Sequence, residues 1–210
     1  FLFRPKGPIN SVKWLSTTDI DKSMRQYQNK HKDFFYLGTL PNDFKYLDYY
    51  GIENFNFEKK IANNVYKFGC VINLDNHDES GSHWVSLFFD LKDKKIYFFD
   101  SFAKKPGKRI SEFIKKMILF MDKKTDNIFK KYDLKKKYLF DSELEDDLKV
   151  NNYSIDYKYN KIRHQFKNSE CGVYSMNFII RLLNGESFED ITNNITKDDK
   201  MNSCRNVYFR

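Results

Sequence analysis

Cys171 stands at the start of the apolar run Cys171-Gly172-Val173-Tyr174, and Gln165 lies six residues before it; the pair His83-Trp84 sits far upstream, with Asp100 seventeen residues after His83. A thiol is a weak nucleophile until a base or a helix dipole favours its thiolate. His83 can form an imidazolium–thiolate pair with Cys171, and Asp100 can turn the imidazole so that the correct nitrogen faces sulfur. Attack on a carbonyl creates an oxyanion. The Gln165 amide and the Cys171 backbone N–H can stabilise it, and losing one such donor typically costs about 10²–10³ in turnover. The chemistry open to these four residues is thiol-dependent acyl transfer or hydrolysis.

Taken singly, each residue has a plainer explanation. Free cysteines are among the most buried residues, so Cys70 and Cys204 read as inert thiols. An aspartate that ends a strand, as Asp100 does, is ordinary turn chemistry. His77 and His164 are rival bases. His77 belongs to the polar loop 75–82, and His164 follows an alternating stretch that leads from Tyr153 towards Gln165, where neighbours point to opposite faces. The order and spacing of the whole set favour His83.

The elements that must position these residues follow from periodicity. Residues 1–18 read as irregular, broken by Pro5, Gly7 and Pro8. Asp19 is expected to cap a helix carrying Ile20, Met24 and Tyr27. Strands are expected over 67–74, 83–91 and 95–100, the last two joined by Lys92-Asp93-Lys94. This hairpin brings His83 and Asp100 to one end of a sheet. Ile110, Phe113, Ile114, Met117 and Met121 recur at helical spacing after Pro106-Gly107. A third helix begins near Cys171, is ended by Gly185 and is apolar most of the way round, which predicts a central position.

The 210 residues read as one domain, 1–210, with a charged insertion at 122–152. A net charge of +8 favours acidic partners, so nucleic acid bound through the basic surface is one expectation, and dispersed lysine composition is the other. Three cysteines without a CxxC pair argue against a disulfide framework and a cysteine zinc site, and for a reducing compartment. No run is apolar and long enough for a membrane span, and no signal peptide is visible. No metal or organic cofactor is indicated. The chain begins at Phe1 rather than Met and reads as a fragment or processed product.

His83-Trp84, then Asp100, then Gln165-x5-Cys171-Gly172 resembles the adenain and ubiquitin-like (SUMO-type) group of cysteine proteases. Within it, Lys6-Gly7-Pro8, Phe68-Gly69-Cys70-Val71-Ile72-Asn73, Ile162-Arg163-His164-Gln165 and Ile195-Thr196-Lys197-Asp198-Asp199 resemble the polyprotein-processing proteases of African swine fever virus type and giant-virus thiol proteases. The resemblance implies an α+β fold, a small mixed or antiparallel sheet packed on a buried helix that starts at the nucleophilic cysteine. It implies His83 as base, Asp100 as its orienter, Gln165 as oxyanion donor and Cys171 as nucleophile, with cleavage after Gly-Gly. Asp100 stands where the swine fever virus type has Asn, and the N-terminal extension of that type is not in this chain. Trp84, with Trp14 of Trp14-Leu15, resembles the pair of indoles that walls a glycine-only tunnel. The expected substrate is a viral structural or core polyprotein, in the virion or host cytoplasm rather than secreted. The alternatives are a deconjugase acting on a ubiquitin-like modifier, an acyltransferase, and a non-catalytic basic module associated with nucleic acid. Oligomeric state is left open.

Overall fold

The computed structural model describes residues 3–122 and 154–210; apart from Asp122, the charged insertion lies outside the described residues. Five strands, β1 (Phe34–Leu40), β2 (Lys67–Asn73), β3 (Trp84–Asp90), β4 (Lys95–Phe99) and β5 (Asp156–Tyr159), form one sheet in the order β1-β2-β3-β4-β5. The inner pairs are antiparallel and the outer pairs, β1 with β2 and β4 with β5, are parallel. The helices are α1 (Thr17–Arg25), α2 (Tyr27–Lys30), α3 (Phe57–Ile61), α4 (Lys108–Met121), α5 (Cys171–Leu183), α6 (Phe188–Asn193), α7 (Asp198–Ser203) and α8 (Arg205–Tyr208).

Strand alternation sorts the core into two layers. Val85, Leu87 and Phe89 of β3, with Ile96 and Phe98 of β4, pack with Ile110, Phe113, Ile114 and Met117 of α4. Trp84, Phe88, Tyr97 and Phe99 point the other way, into the cluster formed with Val173, Met176, Phe178 and Ile179 of α5. Both faces are covered, so the central strands read as continuous apolar runs. The expected α+β architecture is present, with the sheet mixed and α5 central.

Three local expectations need correction. Helix α1 begins two residues before Asp19 and is capped by Ser16, whose hydroxyl accepts from Asp19 N at 3.2 Å while the Asp19 carboxylate accepts from Ser16 N at 2.9 Å. Asp19 is the third residue of that capping box rather than the cap. Strand β1 was not expected: Phe34-Phe35-Tyr36-Leu37 is an unbroken apolar run whose periodicity does not separate strand from buried helix. Finally, β5 stops at Tyr159, so His164 and Gln165 lie on a loop and both donate their backbone N–H to Ser101 O at 2.9 Å.

Phe89 is fully buried and meets the Phe113 ring edge-on at 5.5 Å, tying β3 to α4. Phe89→Ala is expected to cost about 3–5 kcal/mol in urea unfolding.

Candidate active site

The β3–β4 register pairs Ser86 with Phe99, so the residues before Trp84 and after Phe99 leave the sheet at the same end. There His83 Nε2 meets Asp100 Oδ1 at 2.6 Å, with His83 7% and Asp100 1% exposed. Asp100 is held in turn: its Oδ1 accepts from Phe102 N at 2.8 Å, its N–H donates to Asn160 Oδ1 at 2.9 Å, and its carbonyl accepts from Asn160 Nδ2 at 2.7 Å. Because the carboxylate occupies Nε2, Nδ1 is the nitrogen left for sulfur, and the Cys171 thiol lies close enough to favour the imidazolium. Burial works against the imidazolium, but the hydrogen bonds to Asp100 and Cys171 and the charges behind them outweigh it and raise His83 to about 9.

Cys171 is the first residue of α5 and is 2% exposed. Gly172 makes its placement possible, because a Cβ there would stand only 3.2 Å from both Leu15 Cβ and Ile20 Cδ1. The residues leading into Cys171 have no regular hydrogen bonds of their own, and distant side chains supply them. Asp198 Oδ2 accepts from Phe166 N at 2.9 Å and Lys167 N at 3.1 Å. Glu170, immediately before the thiol, is clasped by the fully buried Arg205 (Nε–Oε2 3.0 Å, Nη2–Oε1 3.1 Å) and by Asn202 at 2.9 Å.

Gln165 reaches the same end of the sheet through Ser101, the neighbour of Asp100. The Ser101 hydroxyl donates to Oε1 at 2.6 Å and Nε2 donates to Lys167 O at 2.7 Å. That orientation leaves the second Nε2 hydrogen without a protein acceptor among the described residues. Gln165 itself makes no hydrogen bond to His83 or Cys171 among them.

Trp84 and Trp14 line one open cavity of about 390 Å³. Trp84 is buried, its indole N–H donating to Leu15 O at 3.1 Å, while Trp14 is 45% exposed. The facing wall is the 73–81 loop, where Gly81 has φ +87 and a Cβ would fall 2.8 Å from Asn73 Nδ2.

The rival histidines are engaged elsewhere. His77 Nδ1 is 2.6 Å from Asp43 Oδ2 on the rim of the cavity, and this hydrogen bond holds it above the ordinary imidazole range. His164 donates from Nε2 to Thr192 O at 3.0 Å, and burial lowers it, so it is a neutral core group. Burial pushes the thiols of Cys70 and Cys204 up. Among the described residues no helix is long and apolar enough to cross a membrane and no His/Cys/Asp/Glu group could hold a metal. Lys130-Lys131 and Lys135-Lys136-Lys137, the basic runs behind the nucleic-acid expectation, lie outside the described residues. Sequence reasoning passed over Asn160 and Arg205 and gave Ser101 and Glu170 no task. Asp198 fell within a stretch that carried resemblance but no assigned task.

A buried thiol beside an imidazole that a carboxylate holds, at the junction of sheet end and helix start, places the chain in the class of cysteine-protease folds. The crystal structure of the African swine fever virus pS273R protease has this fold, with a TM-score of 0.74 at 21% identity over 99% of this chain and 72% of that chain. Residues 70–209 match the Ulp1 protease family, C-terminal catalytic domain, and the chain belongs to that family. It is 38% identical over 208 residues to the Acanthamoeba polyphaga mimivirus protein named "Putative thiol protease R355", covering 99% of this chain and 60% of that protein's length. It is 25% identical over 222 residues to the SUMO-1 cysteine protease S273R of African swine fever virus (isolate Pig/Kenya/KEN-50/1950), covering 99% of this chain and 72% of that protein.

Removing one partner of a buried ion pair leaves the other charge uncompensated. Arg205→Met is therefore expected to cost about 3–5 kcal/mol in urea unfolding, and Glu170→Leu combined with it to recover part of that loss.

Proposed function

We propose that this chain is a viral cysteine endopeptidase that cleaves after Gly-Gly in a structural or core polyprotein, with Cys171 as nucleophile, His83 as acid and base, Asp100 as orienter and Gln165 as oxyanion donor. The observation that carries this reading is the buried His83–Asp100 bond of 2.6 Å with Cys171 on the same imidazole. The Cys171 thiolate attacks the glycine carbonyl, and the oxyanion is met by the Cys171 N–H and the free Nε2 hydrogen of Gln165. The intermediate collapses, the C–N bond breaks and the imidazolium protonates the leaving amine. His83, now neutral, takes a proton from water as it attacks the thioester, releasing the new carboxylate and restoring the thiolate.

The Gly-Gly preference rests on the two indoles that line one cavity beside His83. A backbone without side chains passes between flat aromatic walls where a substituted one clashes. Processing of a viral polyprotein would take place in a reducing setting, in the particle or the host cytoplasm, where the thiol persists. A second reading, removal of a ubiquitin-like modifier, is favoured by the name of the swine fever virus relative, a SUMO-1 cysteine protease. The chemistry is the same, and only the need for a folded substrate separates the two.

A panel of Gly-Gly-X peptides incubated with wild type and Cys171→Ala, read by mass spectrometry, tests this directly. Cleavage after the second glycine is expected from wild type alone, and cleavage that survives the substitution removes Cys171 from the mechanism. Cleavage only of folded modifier fusions would favour the second reading. The pH dependence carries a sign. The raised imidazolium persists to about 9, so kcat/KM is expected to fall as pH rises through that region. In Asp100→Asn the carboxylate's charge is gone, and this alkaline limb should move down towards the ordinary 6.5, as pH–rate profiles would show.

A further inference from the structure

Continuing the β3–β4 register three pairs past Ser86 and Phe99 sets Phe102 opposite His83, and the two rings stack at 4.5 Å with an 11° interplanar angle. Over Phe102 lies Arg163, its guanidinium carbon 4.9 Å from that ring centre and 5.0 Å from the centre of Phe166. Arg163 Nε donates to Gln165 O at 2.6 Å, which fixes the guanidinium. Arg163 is exposed, and its two terminal nitrogens have no acceptor among the described residues. Nearby carboxylates are committed: Glu170 to Arg205, Asp198 to Phe166 N and Lys167 N, and Asp156 to Lys158 and Tyr97. Phe166 keeps 65% of its surface in water. The result is a rigid cation between two aromatic rings with its donor fork open to solvent, an arrangement suited to bidentate capture of a carboxylate.

Its position gives it a task. On the reading proposed above, the leaving amine takes its proton from His83, so the first residue beyond the scissile bond lies against that imidazole. The acyl side occupies the cavity that begins at Trp84, the residue after His83. The flank left for the departing chain is the one built by Phe102 and Arg163. From His83 the guanidinium is two stacked layers away, each under 5 Å. An extended chain advances about 3.3 Å per residue, so the side chains of the second and third departing residues come within its reach.

We propose that Arg163 is a specificity-determining residue that reads an acidic side chain within the first three residues on the leaving side of the scissile bond. This rests on the protease reading. The bland alternative is that Arg163 only shields two rings and tethers the Gln165 carbonyl, in which case substrate charge is irrelevant to it.

The test uses two Gly-Gly peptides, identical except that the second and third residues after the cleavage point are Asp in one and Lys in the other. They compete in one reaction with the full chain and are read by mass spectrometry. Wild type is expected to favour the Asp peptide by about tenfold in kcat/KM, mostly through KM. Arg163→Gln should bring the ratio close to one. Arg163→Lys, which keeps the charge but loses the planar fork, should fall between them. Because both peptides meet the same enzyme sample, a loss of folded protein or of Gln165 alignment cancels from the ratio. A wild-type ratio near one, or a ratio unchanged in Arg163→Gln, overturns the assignment while leaving the protease intact. Failure of wild type to cleave either peptide or any other Gly-Gly peptide overturns the polyprotein-processing reading and this inference with it.

Discussion

The contact on which the site depends is the ion pair between Glu170 and Arg205, with the carboxylate 2% and the guanidinium 0% exposed. Two buried charges are expensive to desolvate, and such a pair is tolerated when geometry is bidentate and the remaining hydrogen-bonding capacity is filled. Both conditions hold: Ser169 and Asn202 also bond the carboxylate, and Arg205 reaches the carbonyls of Ser169 and Pro8. The pair thereby joins the N-terminal segment, the C-terminal helices and the residue immediately before Cys171. The segment from Asn160 to Glu170 is irregular backbone buried at Asn160, His164, Gln165 and Glu170, so polar groups there must be met from elsewhere. Asn160 Nδ2 donates to Ile162 O near its start, Asp198 accepts from Phe166 N and Lys167 N in its middle, and Arg205 donates to Ser169 O near its end.

Burial then sets the electrostatics. Cys70 and Cys171 are both withdrawn from water, but Cys70 lies in the apolar cluster on the α4 side of the sheet and burial drives its thiol up, away from reactivity. Cys171 has His83. That imidazole is buried too, and burial alone would strip its proton; the Asp100 carboxylate at 2.6 Å reverses the outcome. A carboxylate rather than an amide here lends full negative charge in a low-dielectric pocket, where its effect is greatest. Phe102 covers one face of the imidazole, and His83 keeps only 7% of its surface in water.

The fold supplies the rigidity this requires. Helices α4 and α5 cover opposite faces of the sheet, and the hairpin of β3 and β4 between them carries both His83 and Asp100. Helix α5 presses its first turn against Leu15 and Ile20, and Leu15 also accepts the Trp84 indole hydrogen. The thiol and the floor of the cavity are therefore referenced to the same residue.

Local rules were enough for much of this molecule. The apolar runs at 84–90 and 95–99 and the turn between them place His83 and Asp100 at one sheet end, because a hairpin of two strands is a short-range object whose register a tight turn sets. The apolar stretch after Cys171 announces a central helix with the thiol at its head for the same reason: periodicity within one segment reports which faces are buried. What those rules missed needed partners distant in the chain. Strand β1 is defined by parallel pairing with β2, and its own apolar run does not distinguish strand from helix. His164 and Gln165 leave strand geometry because Ser101 binds both of their amides. Glu170 and Arg205 are thirty-five residues apart, and in sequence each is an ordinary surface-type charge. Only tertiary packing decides that they are buried together, since the cost of burying a charge is recovered by a partner that no local pattern specifies.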